Sequence, residues 1–151
     1  MSATLLIVHH TPSPGTRELL EAVLKGAHDP DISGVEVRSV SALHATVSDM
    51  LNADGYIFGT PANFGYMSGA LKHFFDTVYY PSIDDVAGRP FGAWVHGNQD
   101  TVGAVKSIEK ITTGLALSLV AKPLEFYGTP DSSMREQCYE LGATLAVTIS
   151  E

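Results

Sequence analysis

A chain of 151 residues, 44% hydrophobic and 17% charged, is sized for one folded domain with a sizeable core. Its net charge of −8 argues against nucleic acid or an anionic membrane as partner, because both favour a basic surface. The lone Cys138 excludes internal disulfides, the N-terminal stretch lacks a basic signal-peptide region, and no stretch approaches a membrane span. A soluble, cytoplasmic protein is expected.

Residues 4–9 (TLLIVH) form a nearly continuous apolar run and predict a buried strand. After the turn HTPSPG, a helix is expected over 14–26, with Leu19, Leu20, Val23, Leu24 and Ala27 on its apolar face. Residues 35–40 (VEVRSV) alternate as a strand near a sheet edge does, and a short helix over 46–51 leads into the strand GYIFGT. Met67, Ala70, Leu71, Phe74, Phe75 and Val78 then recur at helical spacing, before a surface loop at 81–90. FGAWVHG (91–97) reads as a fourth strand, residues 101–117 as a helix, and LVAKPLEFYG as the holder of a fifth strand. Ser133 and Glu136 have capping-box spacing and open a last helix with the stripe Met134, Cys138, Leu141, Leu145 and Ile149. Five strands alternating with helices imply one α/β domain over 1–151, a doubly wound parallel sheet with helices on both faces.

Ligands of such sheets bind outside the carboxyl ends of the strands, where strand order reverses. Three loops of unusual composition leave those ends. In the first, Ser13 reads as an N-cap and Pro14 as the first helical residue. The amides of Gly15, Thr16 and Arg17, with the hydroxyls of Thr11, Ser13 and Thr16, would form an anion cradle; an ordinary capped helix start explains the same residues. In the second, Pro61, Ala62, Asn63, Phe64 and Gly65 fix an exposed backbone, and Phe64 offers a face or an edge for stacking. Phe64 and Tyr66 as plain core aromatics is the competing reading. The third, His96-Gly97-Asn98-Gln99-Asp100-Thr101, carries donors that can reach a ring's carbonyl and imide edge, or else simply caps the next helix.

The stretch HTPSPGT is similar to the phosphate loop of flavodoxin-like proteins, and ADGYIFGTPANFGYMSGALKHFFD resembles the flavin-loop segment of NADPH-dependent FMN reductases and NAD(P)H:quinone oxidoreductases. The resemblance follows the order of elements through the whole chain, and its specific part is residues 54–76. It implies the flavodoxin-like fold with strand order 2-1-3-4-5 and noncovalent FMN. Thr11, Ser13, Gly15 and Thr16 would hold the phosphate, with Pro14 standing where the motif often has glycine, so that one amide is missing. The backbone of Ala62, Asn63 and Phe64 would meet the flavin ring, with Ala62 where a hydroxyl side chain is usual. His96, Gly97, Asn98 and Gln99 would meet its pyrimidine end.

That resemblance points to an oxidoreductase taking hydride from NADH or NADPH and passing electrons to a quinone, free flavin or other small acceptor. No catalytic side chain is expected, since the cofactor carries the chemistry. A flavodoxin-type one-electron carrier is the alternative, and a cofactor-free binding module a third. Related enzymes often complete their sites with a neighbouring subunit, so a homo-oligomer is compatible. No metal site is expected: the six histidines include no HExxH, and His9 and His10 point to opposite sides of a strand. Cys138 and Trp94 read as core, and Asp84-Asp85 as a solvated loop.

Overall fold

A computed structural model describes residues 2–150. The apolar run at the start of the chain becomes β1 (Ala3–His9), flanked on both sides by parallel partners, β2 (Val35–Ser41) and β3 (Gly55–Asn63). β5 (Pro90–Gly97) lies beyond β3, so strand order reverses between β1 and β3. The fifth position of the sheet is filled by two short pieces, β6 (Ser118–Leu119) and β7 (Leu124–Tyr127), both paired in parallel with β5. Pro123, which has no amide to donate, lies in the gap between them. With that strand counted once, the order is the expected 2-1-3-4-5. β4 (Tyr66–Met67) folds back antiparallel on the end of β3.

Alternating side chains divide the core into two layers. Leu5, Ile7, Ile57 and Trp94 face α1 (Pro14–Ala27) and α5 (Ser132–Ile149), packing on Leu19, Val23, Cys138, Leu141 and Leu145. Leu6, Val8, Tyr56, Phe58 and Ala93 face α2 (Val47–Asn52), α3 (Gly69–Ser82) and α4 (Val102–Gly114). Phe58 centres an aromatic cluster, with Phe75 at 5.0 Å and Tyr56 at 5.9 Å between ring centroids. Burial holds the Cys138 thiol in its protonated form, its pKa pushed up to about 12. Among the described residues, no helix is long and apolar enough to cross a membrane.

Several local expectations are corrected. α5 is capped by Asp131, whose carboxylate accepts the Met134 amide at 2.9 Å, rather than by Ser133. Asp131 precedes the helix and places its charge at the positive dipole end. Met67 belongs to β4, with Ser68 capping α3, and α3 continues through Pro81 in its last turn. α4 stops at Gly114, whose missing side chain makes room for the Tyr79 hydroxyl. Gly59 is interior to β3, as the strand reading of GYIFGT has it, and a Cβ there would lie 2.1 Å from the Trp94 ring.

Candidate functional site

Sheet register brings the predicted loops to one edge. Gly59 pairs with His9 and Pro61 with His96, while His96 and Gly97 pair with Phe126 and Tyr127. The loops after β1, β3, β5 and β7 therefore leave the sheet side by side.

The first loop satisfies much of its own polarity. Ser13 and Thr16 form a reciprocal capping box: the Thr16 amide donates to Ser13 Oγ at 3.2 Å and the Ser13 amide to Thr16 Oγ1 at 3.0 Å. Thr16 is buried, and the Arg17 amide donates to the Ser13 carbonyl at 3.0 Å. Two of the three amides expected to be free thus have partners inside the loop. Gly15, second in the helix, keeps an amide with no intrahelical acceptor. Thr11 Oγ1 lies 3.0 Å from His9 Nδ1, and the His9 pKa is lowered by burial and secondarily by the neighbouring His10. His10 Nδ1 is buried without a hydrogen-bond partner.

The second loop is a tight β-hairpin. Ala62 pairs with Met67 and Asn63 with Tyr66, leaving Phe64 and Gly65 as its two-residue turn, both left-handed, with φ of 52° and 71°. Positive φ at both central positions is the turn that matches strand twist, and glycine suits the second. Phenylalanine does not suit the first, because its Cβ crowds the backbone there. Phe64 is nonetheless fully exposed, with no core contact to account for its place. Tyr66 is also exposed, so neither aromatic is a core residue.

The hairpin is held from behind. Thr60 Oγ1 donates to the Pro61 carbonyl at 2.8 Å and accepts the Ser68 amide at 2.9 Å, in buried surroundings. Gly103, in the first turn of α4, lies so close that a Cβ on it would be 1.9 Å from the Gly65 carbonyl oxygen. The third loop runs alongside: Gly97 is buried against Ala62, while Asn98, Gln99 and Asp100 are exposed. Thr101 closes it, its buried hydroxyl donating to Glu125 at 2.7 Å and accepting from the Tyr127 hydroxyl at 2.6 Å. Thr101 does not cap α4 with its side chain; Asp100 Oδ1 accepts the Val102 amide instead, at 3.0 Å.

The family described as NADPH-dependent FMN reductase matches residues 25–124. The chain belongs to this family. It is 33% identical over 101 residues to a flavodoxin of Aquifex aeolicus (strain VF5), a match covering 63% of this chain and 54% of that protein. It is 29% identical over 92 residues to an NAD(P)H dehydrogenase (quinone) of Acidithiobacillus ferrooxidans, covering 48% of this chain and 45% of that one. The chain thus spans about half the length of the curated relatives it matches. Its fold superposes on a flavodoxin from the domain Archaea with a TM-score of 0.84, at 17% identity, over 98% of this chain and 99% of the other.

In this FMN reductase family member a fourth loop, Gly128-Thr129-Pro130-Asp131, joins the three read from the sequence. His96 Nε2 bonds the Gly128 carbonyl at 2.5 Å, and a Cβ on Gly15 would touch Pro130 at 3.5 Å and His96 at 3.7 Å. The His96 side chain is thereby engaged with the fourth loop. The signal for this loop was present: a turn sequence directly after the last strand, at the same edge as the others.

Proposed function

We propose that this chain binds FMN noncovalently at this edge and passes electrons from NADH or NADPH to a quinone, a free flavin or another small acceptor. The observation that carries the reading is the exposed, strained hairpin at Phe64 and Gly65, set beside an exposed polar loop at 98–100. A bulky side chain kept in the left-handed region and out of the core is the kind of strain associated with ligand clamps.

The residues present fit the cofactor. Gly15 leaves a backbone amide open at a helix start, with the Thr11 hydroxyl on the preceding loop and the exposed Arg17 in the first turns of α1, giving a donor set for a phosphate. This cradle is leaner than the sequence implies, because Ser13 and Thr16 bond each other and Pro14 has no amide. The backbone of Pro61, Ala62, Asn63, Phe64 and Gly65, at the hairpin end of β3, would meet the ring. Gly97, Asn98 and Gln99 offer donors to its pyrimidine end, and His96 anchors their loop through Gly128. Bound FMN supplies a ring that accepts two electrons and a proton from a nicotinamide. The chain orients that ring and leaves one face open, since residues 98–100 bring no bulky apolar side chain over it.

The carrier reading is favoured by the acidic surface, net charge −8, which suits docking to a basic redox protein. Steady-state oxidation of NADPH and NADH by the FMN-loaded chain, with a quinone as acceptor, separates the two. Turnover supports the enzyme; bound FMN with no oxidation of either nucleotide leaves the carrier.

A further inference from the structure

Thr101 holds the position that caps α4, where a threonine ordinarily caps through its hydroxyl. This hydroxyl makes no cap bond, because Asp100 Oδ1 accepts the Val102 amide in its place. It turns instead to β7: although Thr101 is wholly buried, its hydroxyl lies 2.7 Å from Glu125 Oε1 and 2.6 Å from the Tyr127 hydroxyl. An ionised carboxylate only accepts, so the Thr101 proton goes to Glu125 and Tyr127 must donate. Glu125 and Tyr127 alternate with Phe126 on β7, so both face the same side of the sheet, paired with Val95 and Gly97. Among the described residues Glu125 has no cation within ion-pair distance. The Thr101 methyl packs on Gly97, where a Cβ would lie 3.2 Å from it and 3.1 Å from Ala62. The other end of the third loop is fastened beside the end of the same strand. Gly128, left-handed at φ 75°, donates its amide to the Gly97 carbonyl at 3.2 Å and accepts from His96 Nε2. Between these anchors run Asn98, Gln99 and Asp100, all exposed. Asp100 Oδ2 then reaches the hairpin, 3.4 Å from where a Gly65 Cβ would stand.

We propose that Thr101 is a positioning residue of the ring site: held between Tyr127 and Glu125, its hydroxyl fixes the span 98–100 in one shape before any ligand arrives. A loop already in its bound shape loses little backbone entropy on binding, and the entropy not lost appears as affinity. Without the hydroxyl, the exposed Glu125 and Tyr127 turn to water, so the loss falls on the loop rather than on the core. The inference rests on the proposed reading in one respect: the ligand of residues 98–100 is the flavin ring.

The test pairs flavin titration, read by fluorescence quenching, with backbone order parameters from nitrogen relaxation of the flavin-free full chain. Residues 98–100 of the wild-type chain should show order parameters near the rigid value of about 0.85. Thr101→Val keeps the shape of the side chain and removes the hydroxyl, so these values should fall below about 0.6. FMN and riboflavin share the ring, and both should bind about tenfold more weakly. Thr101→Ser keeps the hydroxyl and should restore both readouts, while Tyr127→Phe, which leaves the bond to Glu125, should cause a smaller loss. Glu125→Ala removes the acceptor at an exposed position and should loosen the span as Thr101→Val does, which carries the test if that variant does not fold. Order parameters in β1 and β3 should stay at their wild-type values throughout; a loss spread over them would make Thr101 a plain stability residue and overturn the proposal. So would a wild-type span already below about 0.6, or a Thr101→Ser chain that recovers no affinity. If the wild-type chain binds neither flavin, the ligand reading fails and the positioning role falls with it. Flavin binding that ignores Thr101→Val and Glu125→Ala sinks the positioning role alone.

Discussion

The loops after β1 and β3 leave the same sheet edge, yet they are built on opposite terms. The first is a local structure. Ser13, Pro14 and Thr16 dictate a capped helix start by themselves, and their polar groups bond each other within four residues. The second is held by the rest of the molecule. Its left-handed Phe64, its buried Thr60–Ser68 brace and its contact with Gly103 draw on segments some forty residues apart. The difference teaches where each loop is fragile: one through its own sequence, the other through its supports.

The sharpest way to break that contrast is at a residue far from the hairpin in sequence. Gly103→Ala in an exposed helix would ordinarily stabilise by about 1 kcal/mol. Here the new Cβ meets the Gly65 carbonyl, so a loss of roughly 3 kcal/mol is expected, with weaker FMN binding. Chemical denaturation and flavin fluorescence check both, and a stabilised Gly103→Ala protein would mean the hairpin is not supported from α4. Thr16→Ala probes the local loop. It removes half of the capping box and should cost about 1 kcal/mol. Affinities for FMN and riboflavin should fall together, because the hydroxyl serves the helix start; a selective loss of FMN would return Thr16 to direct phosphate contact.

Smaller effects sharpen the comparison. Phe64→Gly relieves the left-handed strain and should stabilise the chain by about 0.5 to 1 kcal/mol after the added backbone entropy of glycine. FMN affinity should nevertheless drop several-fold, as for a lost aromatic contact. Stabilisation with unchanged affinity would show that the ring is not used. His9→Gln probes the acid limb of stability. The folded chain holds the His9 pKa below its ordinary value of 6.5, chiefly through burial, so the unfolded chain takes the proton first. Stability is fully present above that value and declines as pH falls toward the lowered one. A glutamine there should flatten this decline, measured as midpoint temperature against pH.

The order of elements, the buried first strand, the edge character of β2 and the start of α1 at Ser13 were legible in the chain alone. They were so because periodicity and caps act over a few residues, where neighbours in the chain are neighbours in space. The sequence also marked residues 61–65 and 96–101 as unusual, and the register of β3 on β5 places them together. The hairpin's two-residue turn was not legible, since Phe64 is a poor left-handed residue and only tertiary support keeps it there. The role of Gly59 as the seat of Trp94, the switch of cap from Ser133 to Asp131 and the capture of His96 by Gly128 depend on which surfaces meet after folding.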